Sequence, residues 1–212
     1  MDYCLSSAYL APVEYYTKLY AGRHILIERY DHYIKQTYRN RCVIAGPNGP
    51  LSLTIPTDKS AHEHCFMKDV RISDHGKWRH VHWQALVSAY YTSPFFEYYQ
   101  DDFRPFYEKQ YTFLYDFNCD LQEKVCELLD LQPEITPTNE YRMEFADRNI
   151  QDLRDSIRPK KDFSEDKDFI PKPYYQVFRE KLGFLPNLSI IDLLFNMGPE
   201  GLLVLRDCIH RG

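Results

Sequence analysis

The sequence has no excess of basic residues and no long apolar run. Its 212 residues include 26 Lys and Arg against 31 Asp and Glu, a formal net charge of −5. This charge gives no electrostatic basis for nucleic acid or an anionic membrane as the main partner. No apolar stretch approaches the ~18 residues that a membrane-spanning helix needs. The start, Met1-Asp2-Tyr3-Cys4, carries an acid where a signal peptide carries basic residues, so we expect a cytoplasmic protein without a membrane span.

Several catalytic and ligand-binding motifs are also missing. Neither of the glycine-rich phosphate loops, Gly-x-Gly-x-x-Gly and Gly-x-x-x-x-Gly-Lys-Ser/Thr, occurs, and there is no Gly-x-Ser-x-Gly elbow. The six cysteines form no Cys-x-x-Cys pair, so we expect small buried thiols. The run His62-x-His64-Cys65 has metal-ligand residue types, but a structural zinc normally needs four ligands in two pairs. The sequence therefore predicts neither a metal nor a cofactor.

Aromatic and apolar residues are abundant instead. There are 18 Tyr, 13 Phe and 2 Trp, and apolar residues make up 44% of the chain, which excludes wholesale disorder. A chain of this length buries about 70% of its unfolded surface, enough for one core without disulfides. Because the sequence has no internal repeat and no clear boundary, we predict a single domain over residues 1–212.

Local patterns favour an α/β fold. Residues 3–7 and 24–28 predict strands, and Pro12 opens a helix between them that ends near Gly22, so this stretch predicts a parallel βαβ unit. Residues 42–55 predict a β-hairpin that turns at Asn48-Gly49. We predict one α/β domain with a small mixed, partly parallel sheet that includes the hairpin and is covered by helices.

The rest of the chain predicts mainly helices. Segment 133–173 is rich in charge and proline, and within it the mixed charges of residues 152–168 predict a solvated helix plus loop. The other predicted elements are a strand at 70–72, a helix over 77–91 that Pro94 interrupts, one or two helices within 103–131, a helix over 190–195 capped by Asn187 or Ser189 and ended by Gly198, and a last helix over about 200–210.

Four blocks and the aromatic start together resemble the WbqC-like family. The blocks are the Lys-Gln-Thr-Tyr-Arg-Asn-Arg run at 35–41, the Trp78, His82 and Trp83 helix, Ser-Pro-Phe-Phe at 93–96 and Leu-Ser-Ile-Ile-Asp-Leu-Leu-Phe-Asn at 188–196. The resemblance implies a link to surface polysaccharides such as O-antigen, since members occur with such genes. It also implies a glycine or aminoacyl transferase role, which has been suggested for some members.

The chain departs from the family pattern at two places. Leu5-Ser6-Ser7 stands where many members begin with His-Gln-Pro, and segment 133–173 has nothing like the Tyr-Leu-Ser-Gly of longer members. If either element holds substrate, this protein binds something else or has lost catalysis.

The segment 35–41 is the candidate anion site. It carries Lys35, Arg39 and Arg41, with Gln36 and Asn40 as neutral hydrogen-bonding partners. An extended backbone places the three cations on one side, and a guanidinium matches two oxygens of a phosphate or carboxylate. A sugar phosphate or nucleotide sugar suits such a site. The alternative is that these cations pair with acids nearby, such as Asp31 and Glu28.

Two histidines are candidates for proton transfer. His75 lies in a Ser-Asp-His-Gly loop in which Asp74 can orient its ring, and His82 lies on the following helix. Histidine titrates near neutral pH, as a general base needs. The alternative for both is a capping or core role. His80 and His82 point about 200° apart on a helix, which disfavours a shared metal.

The C-terminal block supplies the third candidate, Asp192, which lies within an apolar helix. Burying a carboxylate is costly unless it is paired, so we expect Asp192 to face a cleft or to meet Arg39 or Arg41. The alternative is an acid favoured by the helix dipole near a helix start. Trp78, Asn187 and Asn196 join the substrate-binding candidates as a stacking ring and two amides, with core packing and helix capping as alternatives.

Together these candidates predict an enzyme, a group transferase acting on a sugar or nucleotide-sugar intermediate of surface polysaccharide. In that hypothesis Lys35, Arg39, Asn40 and Arg41 hold an anionic group, while a histidine moves a proton and Asp192 orients a basic partner. An enzyme should gather these residues in one concave pocket. The second hypothesis is a non-catalytic binding or assembly protein of the same pathway that has lost the site. A homo-oligomer remains open under both.

Overall fold

The computed structural model describes residues 1–58, 65–147 and 149–210. This part of the chain contains six β-strands and seven α-helices, joined by loops and short 3-10 helices. The strands are Asp2–Ser6 (β1), Ile25–Glu28 (β2), Arg41–Gly46 (β3), Gly49–Thr54 (β4), Ile135–Pro137 (β5) and Ile150–Asp152 (β6). The helices are Val13–Ala21 (α1), Trp78–Tyr90 (α2), Phe96–Glu108 (α3), Leu114–Leu128 (α4), Arg179–Leu182 (α5), Ile190–Met197 (α6) and Gly201–Asp207 (α7). The predicted α/β class is confirmed. None of the helices in these ranges is long and apolar enough to cross a membrane.

The start of the chain forms the parallel βαβ unit that its sequence predicts. β1 pairs in parallel with β2, with Tyr3 opposite Ile25. α1 connects the two strands, and Gly22 is the residue that follows its C-terminal end. A Cβ atom on Gly22 would lie only 2.4 Å from Cδ1 of Ile25. The chain can therefore turn back onto the sheet this closely only with glycine at that position.

The parallel sheet has four strands in the order β5-β2-β1-β6. At 152–168, where we expected a solvated helix plus loop, the structure has no α-helix, and its one helical turn is the 3-10 helix Phe163–Glu165. The two outer strands of the sheet come from segment 133–173, in which we predicted no strand. Both strands have three residues, and every residue of β5 is exposed. Strands this short and polar lack the apolar alternation by which a sequence indicates a strand. Their backbone groups pair with β2 and β1 instead.

The predicted hairpin is confirmed in β3 and β4, which pair antiparallel from Arg41 opposite Thr54 to Gly46 opposite Gly49. Gly49 has a φ of 123°, a backbone conformation that favours glycine. The hairpin forms a two-stranded sheet of its own, whereas we expected it in the same sheet as the parallel pair. The predicted strand at 70–72 forms isolated bridges instead of a strand.

Some helix boundaries agree with the sequence prediction and others do not. The predicted helical region 103–131 divides into α3 and α4, and α3 already begins at Phe96. α6 is capped by Ser189, whose Oγ accepts a hydrogen bond from the Ile191 N–H at 3.4 Å. It ends at Gly198, where φ is 55°. The sequence therefore placed the cap and the end of this helix correctly.

Phe195 on α6 lies at the centre of an aromatic core. Its ring centroid is 5.3 Å from that of Tyr90, 5.2 Å from that of Phe96 and 5.5 Å from that of Phe103, all in edge-to-face arrangements. All four rings are at most 1% exposed. These contacts join α2, α3 and α6. In this region the aromatic residues therefore form the core.

The start of α1 is held by residues from the far end of the chain. Asn187 accepts the Glu14 backbone N–H at 3.0 Å and donates its amide to Glu14 Oε2 at 2.9 Å. One turn further, the buried Lys18 pairs with Asp166 at 2.6 Å. Burial raises the pKa of Glu14 to about 7; the Asn187 hydrogen bond opposes this rise and the charge of Asp166 adds to it.

Glu14 should therefore make the folded protein lose stability as the pH rises. A carboxyl group whose pKa is raised on folding stabilises the fold fully below its unfolded pKa, and this contribution disappears as the pH passes the folded value. Between pH 5 and pH 8 the free energy of unfolding should fall by about 2–3 kcal/mol through this group alone. Urea unfolding of Glu14→Gln across this range should show a correspondingly flatter profile.

The matched control is Glu165→Gln, which removes an exposed carboxylate from the same neighbourhood. Its pH profile should match that of the wild-type protein. If Glu14→Gln retains the full wild-type slope, the protonation of Glu14 does not contribute as described.

Candidate functional site

An open cavity of about 640 Å³ lies at the carboxyl edge of the parallel sheet. Its more exposed wall is aromatic and its buried wall is charged. The aromatic side chains are Tyr30, His32, Phe66 and Tyr141, and the buried charged residues are Asp31, Arg39 and Arg154, with Asp152 beside them.

The position of the cavity follows from the strand order. The chain passes from β1 to β2 on one side and later forms β6 on the other side of β1. The β1–β6 pair is therefore the point at which the strand order reverses. In open α/β sheets, ligands bind outside the carboxyl ends of the strands at such a point. Asp152 ends β6 and Asp31 follows β2, so both reach this edge.

Glu28 and Arg154 form a buried ion pair beneath the cavity. Nη1 of Arg154 donates to Oε2 of Glu28 at 2.8 Å, and its Nε and Nη2 bind the two oxygens of Asp152 at 2.9 and 2.6 Å. Oε1 of Glu28 accepts from two following backbone N–H groups and from the Thr138 hydroxyl. Burial acts to lower the pKa of Arg154, but its hydrogen bonds to Asp152 and Glu28 raise it overall. The side chains of Glu28, Asp152 and Arg154 are therefore fixed in place by their mutual hydrogen bonds.

Arg39 and Asp31 form a second buried ion pair, which lines the cavity. Nη2 of Arg39 donates to Oδ2 of Asp31, and the two residues are 3% and 7% exposed. Among the described residues, none donates to Oδ1 of Asp31 and none accepts from Nε of Arg39. Burial raises the pKa of Asp31, although the charge of Arg39 opposes the rise. A carboxylate with one unoccupied oxygen and a raised pKa is suited to accept a proton.

Arg154 also holds the loop over residues 138–147 against the cavity. Its Nη2 donates to the Arg142 carbonyl at 2.7 Å. Its guanidinium carbon lies 4.8 Å from the ring centroid of Tyr141 and 5.3 Å from that of Phe145. Tyr141 and Met143 line the cavity. The side chain of Arg154 therefore holds both the buried charged wall and this part of the exposed aromatic wall in place.

The predicted cationic segment does not place its charges on one side. Lys35 is exposed, and Gln36 has a φ of 61°, so the backbone turns here and is not extended. Arg39 points to the cavity, whereas Nε of Arg41 donates to the Thr54 hydroxyl on the hairpin at 3.1 Å. The expected shared cationic face is therefore wrong, and Arg39 has the acidic partner of our alternative interpretation.

The amide of Asn40 also belongs to the structure around the hairpin. Its Nδ2 donates to the Ile55 carbonyl at 2.8 Å, and the residue is 6% exposed. Its role in binding a substrate stays a prediction.

His82, with Trp78, lies in the aromatic interior. The residues are each 4% exposed, and Nδ1 of His82 lies 3.0 Å from the Tyr9 hydroxyl. Burial lowers the pKa of His82 to about 4, so the ring is neutral at physiological pH. Neither residue is among the described residues that line the cavity, and their functional roles stay predictions.

His75 is exposed in the short turn before α2. Asp74, which we expected to orient its ring, forms an ion pair with Arg79 instead. His75 is also absent from the described cavity lining, so the structure does not bring either candidate histidine to Arg39.

Asp192 is fully buried and is bound by neutral groups. Its Oδ1 accepts the Tyr90 hydroxyl at 2.8 Å, and its Oδ2 accepts the Tyr174 hydroxyl at 2.7 Å and the Gln176 amide at 2.9 Å. Burial raises the pKa of Asp192 overall, and these three hydrogen bonds oppose the rise. Within the described chain its hydrogen-bond partners include no guanidinium, so the expected pairing with an arginine is wrong. Asp192 is also absent from the described lining of the cavity.

The two candidate amides make hydrogen bonds at helices. Asn187 caps α1 through Glu14, and Nδ2 of Asn196 donates to the Asp192 backbone carbonyl at 2.7 Å. Asn187 therefore caps a helix, although it is α1 and not α6, whereas Asn196 binds a carbonyl within its own helix. A substrate role for either amide stays a prediction.

The histidines of the metal-like run, His62 and His64, lie outside the described residues. Within the described ranges, no group of three or more His, Cys, Asp or Glu side chains is arranged to hold a metal ion.

The sequence reasoning missed Arg154 and Asp152 and named Glu28 and Asp31 only as counterions. All four follow or end a parallel strand, which is a usable signal where the strand itself can be recognised. For Glu28 and Asp31 that signal was present, because β2 was predicted. For Arg154 it was absent, because three-residue β6 has no strand pattern.

Comparison with known proteins gives a family and one relative without a described activity. The family model described as "WbqC-like protein family" matches residues 7–158. The protein named "Uncharacterized protein Rv1507c" from Mycobacterium tuberculosis (strain ATCC 25618 / H37Rv) is 28% identical over 198 residues, covering 83% of this chain and 84% of the relative. No solved structure matches the chain.

Replacing Arg154 by methionine should strongly destabilise the fold, because Glu28 would be left buried without a cationic partner. Breaking a buried ion pair in this way costs about 3–5 kcal/mol, measurable by urea unfolding. The double variant Glu28→Gln/Arg154→Met should recover part of the loss. Arg142→Met, which removes an exposed pair with Glu140, is the matched control and should change stability little. Equal effects at Arg154 and Arg142 would contradict the structural role of the buried pair.

Asp192→Asn should lower stability without changing ligand binding. The amide places an N–H group opposite the Gln176 donor, and an unsatisfied buried donor costs about 1–3 kcal/mol. Asp120→Asn is the control, because Asp120 also accepts a tyrosine hydroxyl, from Tyr111 at 2.8 Å, but at an exposed position. A ligand-binding defect in a folded Asp192→Asn protein would instead place Asp192 in a binding site.

Proposed function

The chain belongs to the WbqC-like protein family, and we propose that it is a group transferase that acts on a sugar or nucleotide-sugar intermediate of surface polysaccharide (O-antigen) synthesis. The proposed transferred group is of the aminoacyl, glycyl or glycosyl type. The observation that carries the proposal is the buried Asp31–Arg39 pair in an aromatic-walled cavity at the carboxyl edge of the sheet.

The walls of this cavity suit a sugar-containing ligand. Tyr30, Phe66 and Tyr141 offer ring faces on which a sugar ring or a nucleotide base can stack. Asp31 beneath them can accept hydrogen bonds from hydroxyl groups, and a few placed polar groups within a largely aromatic wall are typical of small-molecule sites. Arg39 is the one candidate cation of segment 35–41 among the described lining residues, and in this proposal it faces the anionic part of the substrate.

Asp31 is the proposed general base. As a hydroxyl or amine of the acceptor attacks the carbon of the group to be transferred, its proton moves to Asp31. A new bond forms from the acceptor oxygen or nitrogen to that carbon, and the bond from the carbon to its carrier breaks. The carrier leaves with the electron pair. Arg39 holds one oxygen of Asp31 in place throughout, and the carboxylate takes the proton.

Two observations favour the second candidate, a non-catalytic binding or assembly protein. An enzyme was expected to gather the candidate residues in one pocket, and His75, His82 and Asp192 are absent from the described lining that contains Arg39. The second observation concerns Ser6. Ser6 lies within the Leu5-Ser6-Ser7 stretch that stands in place of the family's His-Gln-Pro. Its hydroxyl donates to the Arg154 carbonyl at 2.9 Å, so at this position next to the cavity the side chain makes a structural contact. In this alternative the cavity binds a sugar but turns nothing over.

Asp31→Asn should abolish group transfer while the protein still binds its sugar. Loss of a general base typically lowers a rate by about 10²–10⁴-fold.

The ligand is identified by a thermal-shift screen with nucleotide sugars, sugar phosphates and aminoacyl donors, in which a ligand at 100 times its Kd stabilises the fold by about 2.7 kcal/mol. Stabilising pairs of donor and acceptor are then incubated with the protein, and the product is detected by mass spectrometry.

Asp74→Asn is the matched control, because it removes an aspartate paired with an arginine outside the described cavity lining. It should leave both binding and transfer unchanged. In the wild-type protein, transfer should weaken as the pH falls through the raised pKa of Asp31, since the base must be deprotonated. Binding without product supports the binding protein, and a panel without any binding ligand contradicts both candidates.

A further inference from the structure

The positive charges at the cavity are already matched by carboxylates of the protein. Both guanidinium groups among the described lining residues are paired, Arg39 with Asp31 and Arg154 with Glu28 and Asp152. A phosphate or carboxylate that entered this part of the cavity would have to compete with these buried partners. The anionic part of the substrate would therefore bind beside the Arg39–Asp31 pair, where Nε of Arg39 has no acceptor in the described chain, and not in place of Asp31.

The negative charge at the same place is not fully matched. Asp31 is 7% exposed, and in the described part of the chain its buried Oδ1 receives no hydrogen bond, just as Nε of Arg39 has no acceptor. Nearly all buried polar atoms in proteins have a partner. The donor that fits a carboxylate best is a charged one, since charge-assisted hydrogen bonds are about twice as strong as neutral ones. An ammonium group brings three such donors and no acceptor.

The aromatic wall is also compatible with a cation. Nζ of Lys68 lies 5.6 Å from the Tyr30 ring centroid and 6.0 Å from that of Phe66. The Arg154 guanidinium lies 4.8 Å from that of Tyr141. Three rings of the wall thus already face a cationic side chain, as the negative face of an aromatic ring favours.

We infer that the Asp31 end of the cavity is a subsite for an amino group, so that the sugar bound here is an amine-bearing sugar. The inference rests on the proposed function and narrows its substrate class. The carboxylate of Asp31 accepts the ammonium protons, Arg39 holds one of its oxygens, and the aromatic wall covers the sugar ring.

The test compares methyl hexosides that carry one amine, at C2, C3, C4 or C6, with the parent hydroxyl compounds and the N-acetyl derivatives. Dissociation constants are measured at pH 6.5 by NMR titration of the full chain. At least one amine should bind ten or more times more tightly than its parent, and acetylation should remove the preference because it removes the charge.

Two variants separate Asp31 from the general charge of the cavity. Asp31→Asn should reduce the preference for the amine to less than threefold while the parent hexoside still binds. Asp155→Asn is the matched control, since Asp155 also lines the cavity but is already paired with Arg158, and it should retain the preference.

A second measurement does not depend on how the variant folds. In the wild-type protein the preference should decline when the pH is raised to 9.5, where an amine is largely uncharged, while the affinity for the parent hexoside stays constant.

If amine and parent hexosides bind equally at every position, the amine subsite is wrong and the proposed sugar site stands. If no hexoside binds, the proposed sugar site fails and the amine subsite fails with it. If the preference survives both Asp31→Asn and the rise in pH, the amine is recognised elsewhere and the inference is overturned.

Discussion

The buried ion pair between Glu28 and Arg154 holds the carboxyl edge of the parallel sheet together. Glu28 ends β2 and Arg154 follows β6, so the pair spans β1, which lies between these strands. The same guanidinium binds Asp152 and the loop that carries Tyr141. A charge pair at this depth is costly to desolvate and repays that cost only when its geometry is complete. Here every nitrogen of the guanidinium has a partner, which is why the wall of the cavity has a fixed shape.

Two buried aspartates in this protein show how surroundings separate a structural carboxylate from a candidate reactive one. Asp192 receives three hydrogen bonds from hydroxyl and amide groups, so both its oxygens are satisfied inside the core. Asp31 is bound on one oxygen by Arg39, and in the described chain its other oxygen has no donor, at the wall of a cavity. From the sequence Asp192 looked more unusual, because it interrupts an apolar run. The geometry gives the greater chemical capacity to Asp31.

The sequence predicted those elements that carry a complete local signal. The first βαβ unit has apolar strands and a proline at the helix start, the hairpin has Asn48-Gly49, and α6 has a serine cap and Gly198. It failed at β5 and β6, whose three residues each gain their strand form from pairing with distant strands. The candidate site failed for the same reason, since Arg154 reaches Glu28 across 126 positions of chain. Of the site, the polar segment after β2 was predictable, and its partners were not.

The cap on α1 has a consequence for how the chain is made. Asn187 caps α1 by accepting the N–H of Glu14, which lies 173 positions before it. The Leu188 carbonyl accepts the Val13 N–H, and the Ser189 hydroxyl donates to the Leu10 carbonyl. During synthesis from the N-terminus, α1 therefore leaves the ribosome with its first turn uncapped, and it stays uncapped until Asn187, 173 positions after Glu14, has been translated. Contacts of such long range are slow to form. Until then the first βαβ unit lacks these contacts, and apolar surface that stays exposed during this interval favours aggregation.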